Sequence, residues 1–123
     1  MLRRRTFDPT PDSVPAARHW VRAALRERYP EGIAADAELC VSELAANAVI
    51  HAGTPFEVRL TEAGTQLQIA VADSNRSSAA TVQQQDPEAP NGRGLAIVAA
   101  LTARHGTRIE GDRKVVWCAI EIP

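Results

Sequence analysis

Apolar residues recur at helical spacing near the start of the chain. From Val14, the positions Ala17, Trp20, Val21, Ala24 and Leu25 share one face, while Arg18, Arg22 and Arg26 fall elsewhere. That period predicts an amphipathic helix. The turn-rich stretch Phe7-Asp8-Pro9-Thr10-Pro11-Asp12 precedes it; Asp12 or Ser13 is placed to cap it, and Pro15 suits its first turn. Tyr29-Pro30-Glu31-Gly32 stops it. A second helix is expected from about Ala34 to about His51, ended by Gly53 and Pro55. Phe56, Val58 and Leu60 then alternate with Glu57, Arg59 and Thr61, the period of a half-buried strand. Glu62-Ala63-Gly64-Thr65 reads as a hairpin turn, and Leu67, Ile69 and Val71 form a returning strand that ends at Asp73.

Beyond Asp73 the pattern is lost. Residues 74–91 carry Ser77, Ser78, Gln83, Gln84, Gln85, Asp86, Pro87 and Pro90 with no apolar period. A connection of this length inside a compact domain points to a lid or a binding loop, or to disorder. A third helix is expected from Gly94 through Ile97, Val98 and Leu101 to about Arg104, closed by Gly106. Two last strands follow, near Thr107–Glu110 and Val115–Ile122, joined at Gly111-Asp112. This order predicts an α+β fold, a two-layer sandwich of three helices on a mixed, mostly antiparallel sheet. The 123 residues are enough for a single domain, 1–123, with a core of its own.

Composition narrows the class of function. Hydrophobic residues are 45% and charged residues 24%, the balance of a soluble globular chain. Fourteen Lys and Arg against fifteen Asp and Glu leave a net charge of -1, so no broad basic surface for nucleic acid or a membrane is expected. The two cysteines, Cys40 and Cys118, lie far apart in apolar segments, which argues against a disulfide framework or a cysteine zinc site. Arg3, Arg4 and Arg5 precede no apolar run, so no secretory signal is expected, and they are read as a solvated lead-in to an edge strand. No stretch approaches the ~20 apolar residues of a membrane span. The expectation is a cytoplasmic protein.

The second helix carries the first candidate chemistry. Ala37, Val41, Leu44 and Ala48 form its core seam, and Glu43, Asn47 and His51 recur at spacings of four directly beside that seam. A carboxylate, a carboxamide and an imidazole at the edge of an apolar face need partners. A carboxylate there can take a proton from a hydroxyl, and a carboxamide oxygen suits Mg²⁺. The same spacing also fits a flank that only hydrogen-bonds to neighbouring loops. Asn91-Gly92-Arg93-Gly94-Leu95 stands in front of the third helix. Glycines at a helix N-terminus let main-chain N–H groups approach an anion, although an ordinary glycine-rich helix entry looks the same. Neither a dinucleotide-binding fingerprint nor a P-loop is present. Asp73, at a strand end, can accept from an exocyclic amine or cap a turn.

Taken in order, Glu43-Leu-Ala-Ala-Asn47-Ala-Val-Ile-His51, then Val71-Ala-Asp73-Ser-Asn75, then a polar loop, then Gly92-Arg-Gly94-Leu95 resembles the boxes of the GHKL ATP-binding superfamily, which includes histidine kinases and gyrase B. Within it, the chain is most similar to the small anti-sigma-factor serine/threonine kinases, and Gly111-Asp-Arg-Lys-Val-Val-Trp117 is similar to their terminal strand. The resemblance spans about Phe7 to Ile122.

The resemblance implies a Bergerat-type ATP-binding fold, with ATP and Mg²⁺ as cofactors and residues 74–91 as the ATP lid. It makes Glu43 the general base and Asn47 the Mg²⁺ ligand. Asp73 becomes the adenine contact, with Asn75 beside it where the family has glycine. Gly92, Arg93, Gly94 and Leu95 become the phosphate turn, and His51 a frequent companion of the helix box. It implies a protein kinase that phosphorylates an anti-sigma-factor antagonist and controls sigma factor availability. Its partners would be proteins, not nucleic acid or membrane, and a homodimer is compatible with it. Asn75 motivates a second reading, a non-catalytic, nucleotide-gated protein-binding module with a degenerate pocket.

The remaining residues point to no other chemistry. His19, His51 and His105 lack metal-ligand spacing, and Ser74, Ser77 and Ser78 lack a nucleophile-elbow context. Trp20 and Trp117 are read as core or interface aromatics, and Cys40 as a small buried hydrophobe.

Overall fold

The computed structural model describes residues 2–74 and 104–123. Strand β1 (Leu2–Phe7) is followed by α1 (Ser13–Leu25) and α2 (Glu31–Asn47), which runs on into one π-helical turn, Ala48–Ala52. Strands β2 (Phe56–Ala63), β3 (Gln66–Asp73), β4 (Arg104–Glu110) and β5 (Arg113–Glu121) complete the described elements. The five strands lie in the order β1-β2-β3-β5-β4. Every pairing among them is antiparallel, where a mixed sheet was expected. The two α-helices pack on one face, giving the α+β sandwich. Of the third expected helix, residues 94–103 lie outside the described residues, and its expected last residue, Arg104, instead opens β4.

Alternation along the strands decides which side chains meet the helices. Phe56, Val58 and Leu60 of β2, Leu67, Ile69 and Val71 of β3, and Val116, Cys118 and Ile120 of β5 are buried in one cluster with Ala17, Val21, Leu25, Ala37, Val41 and Leu44. The expected seam of α2 is therefore the seam observed. Cys40 is fully buried there beside Cys118, and hydrogen bonding to Cys40 together with burial pushes the Cys118 thiol well above its ordinary range. Both behave as apolar packing groups and not as reactive thiols. On the opposite face, Ala70, Ala72 and Val115 form a small separate cluster under Trp117.

Turn chemistry explains most boundaries. Gly64, at φ 61°, lets β2 and β3 close through two residues, since Ala63 pairs directly with Gln66. The four-residue turn expected at 62–65 is thus half strand. Gly53, at φ 67°, ends the α2 path where Gly53 and Pro55 predicted. Helix α2 starts at Glu31, three residues before the expected Ala34, because Pro30 at φ -56° and ψ 153° serves as its N-cap. Neither Asp12 nor Ser13 caps α1 with its side chain. The main-chain N–H groups of Ser13 and Val14 are satisfied by the carbonyls of Thr10 and Pro11 at 3.0 and 3.2 Å. Gly106 closes no helix; it sits in β4 where a Cβ would meet the Trp117 ring at 3.1 Å.

Polar contacts tie the layers at their rims. Arg22 of α1 pairs with Glu31 and, at 2.6 Å, with Glu38 of α2. After α1, the Tyr29 hydroxyl donates to Glu62 of β2 at 2.8 Å. Arg28 reaches the same carboxylate at 3.3 Å, and these two bonds hold Glu62 below the usual carboxylate range.

Candidate functional site

The helix box arrives at one end of the sheet. Only residues 48–55 separate Asn47, the last residue of α2, from Phe56, the first of β2, and Phe56 is the register partner of Asp73. The Ser74 N–H donates to Thr54 Oγ1 at 3.2 Å, which pins the end of β3 to the segment leaving the π-turn. The segment leaving α2 and the C-terminal end of β3 are thereby brought together.

Each candidate residue there has a distinct environment. Glu43 is half-buried, one turn before Asn47. Asn47 is only 6% exposed, and its Nδ2 has no hydrogen-bond partner among the described residues. His51 is exposed on the π-turn. The wider turn underwinds the helix, so the regular stripe Glu43–Asn47–His51 holds through Asn47 and loses its phase after it. Single π-turns of this kind concentrate at functional sites. Asn75, Gly92, Arg93, Gly94 and Leu95 lie outside the described residues, as does the expected lid beyond Ser74.

Asp73 follows from the period of β3. It continues the helix-facing series Leu67, Ile69 and Val71, so its carboxylate comes inward at the strand end and is 2% exposed. Opposite it in register stands Lys114, on the helix-facing series Lys114, Val116, Cys118 and Ile120 of β5. Lys114 is 3% exposed, and its Nζ lies 3.6 Å from Asp73 Oδ2. Sequence reasoning missed this lysine. The signal was available: two-residue alternation back from Ile120 puts a cation on the apolar face.

An unpartnered buried amide costs about 1–3 kcal/mol of desolvation. The orphaned Asn47 Nδ2 therefore detracts from stability where it stands. Asn47→Leu is expected to keep or raise the thermal unfolding midpoint measured by circular dichroism. A fall of several degrees would show that the amide is structural.

The histidine kinase-like ATPase domain family matches residues 7–120 of this chain. The chain belongs to that family. As a histidine kinase-like ATPase domain it shares its fold with a solved Mycobacterium tuberculosis protein comprising RsbU and RsbW domains. The TM-score is 0.74 at 19% identity, and the match covers 99% of this chain and 32% of the other, so this chain spans about a third of that structure. No curated protein matches the sequence. Among the described residues of this ATPase-family chain no helix is long and apolar enough to cross a membrane.

Proposed function

We propose that the chain binds Mg·ATP at the α2–β3 end of the sheet and transfers the γ-phosphoryl group to a serine or threonine of an anti-sigma-factor antagonist, so controlling the availability of a sigma factor. The observation that carries the reading is an orphaned, buried Asn47 amide at the end of α2, whose following segment is tied to the strand end that bears the buried Asp73 carboxylate. Family membership supports ATP as the ligand, and the RsbW domain in the structural relative supports the anti-sigma branch. We place this activity in the cytoplasm, with protein partners, a homodimer among the assemblies it allows.

Each residue has a task in this scheme. Asp73 accepts from the exocyclic amine of adenine. Asn47 faces the phosphates, its Nδ2 donating to an oxygen and its Oδ1 available to Mg²⁺. Among the described residues no three His, Cys, Asp or Glu side chains cluster as metal ligands. Asn47 Oδ1 would help to hold a divalent cation here, an oxygen donor of the kind that suits Mg²⁺. Bound Mg²⁺ would neutralise phosphate charge. Gly92, Arg93, Gly94 and Leu95 are assigned to the phosphates in this reading, on the sequence motif they form. His51, exposed on the π-turn, and Asn75, two residues after Asp73 in sequence, are assigned to the nucleotide in this reading. Glu43 accepts the proton of the attacking hydroxyl, and the rest of catalysis is positioning. Residues 74–91 serve as the lid of a domain that spans 1–123.

The test is incubation with Mg²⁺, γ-labelled ATP and an anti-sigma-factor antagonist protein. Label on a serine or threonine of the antagonist supports the reading. Nucleotide binding without label transfers support to the non-catalytic, nucleotide-gated module, and the absence of both overturns the proposal.

A further inference from the structure

No described helix packs on the sheet face opposite α1 and α2. Strand alternation and register put Arg4, Arg59, Arg104, Arg108 and Arg113 on that face. Its carboxylates among the described residues are Glu57, Glu110 and Glu121. The whole chain carries a net charge of -1, so this excess of cations belongs to the face and not to the composition. Arg59 donates to Glu57 at 2.7 Å and to Glu110 at 3.0 Å, and Arg108 donates to Glu110 at 2.7 Å. Arg104 lies over the Trp117 ring at 5.5 Å. Neither Arg104 nor Arg4 meets a carboxylate among the described residues. A hollow of about 370 Å³ opens in this face, floored by Ala70 and walled by Arg4, Arg59 and Arg108, with Glu110 beside Arg108. Leu2, 55% exposed, adds an apolar wall.

The geometry points to this face as the docking surface for one acidic amphipathic helix of a protein partner. The inference is independent of the nucleotide reading. Strands β3 and β5, under the middle of the face, are paired on both sides, so their main chain offers no free donor or acceptor. An extended segment laid there would leave its own backbone groups unpaired against the sheet, which is costly. A helix satisfies its backbone internally and brings only side chains. Three strand spacings, about 14 Å, separate β2 from β4, room for one helix of about 10–12 Å diameter. The small side chain of Ala70 lets such a helix come close, and arginine forks on both sides match carboxylates in charge and shape. The glutamates set among the arginines repel phosphates, and the one aromatic ring of the face, Trp117, is already covered by Arg104, so nucleic acid suits it less. A second copy related by a two-fold axis would set the same excess of cations against itself.

Fluorescence anisotropy of the full chain with three labelled probes tests this. The probes are a helical peptide with glutamates along one face and alanine and leucine along the other, its lysine counterpart, and an oligothymidylate. Wild type is expected to bind the acidic peptide, more weakly as salt is raised, and not the lysine peptide. Arg4→Glu combined with Arg108→Glu is expected to lower that affinity about tenfold or more, because like charges then face each other. Arg18→Glu combined with Arg26→Glu makes the same change of charge at exposed positions of the helix layer and is expected to leave the affinity within about twofold, since rim charges act mainly on what they face. Equal losses in the two double variants would mean general charge attraction and overturn the inference, as would no binding by wild type. A proline in the middle of the acidic peptide breaks its helix, and undiminished binding of that peptide overturns the inference as well. Tighter binding of the oligothymidylate makes the face a nucleic-acid surface, and a wild-type dimer that the Arg4→Glu and Arg108→Glu pair dissociates in sedimentation makes it a contact between copies; either result overturns it. If circular dichroism shows that double variant to be unfolded, Arg4→Glu alone, at an exposed side chain, carries the same prediction with a loss of about threefold or more.

Discussion

Glu43→Ala is expected to slow phosphoryl transfer to the antagonist by about 10²–10⁴-fold, the usual worth of a positioned general base. Mg·ATP affinity should stay within about threefold of wild type, because the base acts on the acceptor hydroxyl and not on the nucleotide. Glu43 sits half-buried one helical turn before Asn47 and outside the buried cluster formed by Val41 and Leu44. Truncation to alanine keeps the helix, since alanine is the best helix former. Transfer measured with labelled ATP, beside nucleotide affinity measured separately, gives the two numbers. Unchanged transfer would remove Glu43 from the chemistry, whereas equal losses of transfer and affinity would make it a binding residue.

The largest effect on stability is expected at Phe56. Its ring is fully buried and stacks on Phe7 at 5.6 Å between centroids and 21° between planes. Phe7 in turn meets Trp20 edge-on at 6.4 Å, so Phe56 backs the ring through which the edge strand β1 meets helix α1. Phe56→Ala is expected to cost about 3–5 kcal/mol, the transfer free energy of the ring plus the cavity it leaves. A melting point lower by roughly 10 °C or more should follow. Phe56 is also the register partner of Asp73, so the loss should be accompanied by weaker nucleotide binding. A cost below about 1 kcal/mol would mean that the site collapses to fill the space, contrary to the close packing of such cores.

The elements that sequence reasoning found are those that bury a periodic face. The seam of α2 and the alternation of β2 and β3 follow from apolar spacing, and each is where that spacing put it. What was missed lacks that signal. Five of the six residues of β1 are exposed, and the strand is held by main-chain pairing to β2, with Phe7 as its one buried side chain. Arg3, Arg4 and Arg5 are thus part of the edge strand itself and not a lead-in to it. Strand β4, Arg-His-Gly-Thr-Arg-Ile-Glu, has no buried residue, so Arg104 and Gly106 were read as the end of a helix. The start of α2 was placed late because Pro30 and Gly32 read as breakers, although proline is favourable at a helix entry.

The candidate site divides in the same way. Glu43, Asn47 and Asp73 were legible because polar residues interrupt or adjoin an apolar period, and such interruptions are costly unless used. The loss of phase at His51 was not legible, since nothing in Ala48-Val-Ile-His-Ala52 distinguishes a π-turn from an α-turn. Lys114 is hidden in another sense. Its inward position needs only alternation, but its partner needs the β3–β5 register, which links residues 41 positions apart.

The central claim, that Asp73 and the end of α2 form a nucleotide site, is tested most directly by calorimetric titration of Mg·ATP into the wild-type chain and into Asp73→Asn. Saturable heat at one nucleotide per chain is predicted for wild type. Exchange of the carboxylate for an amide should weaken binding by about tenfold or more, through loss of a charge-assisted hydrogen bond. No heat from wild type, or equal affinity in the two proteins, would contradict the account.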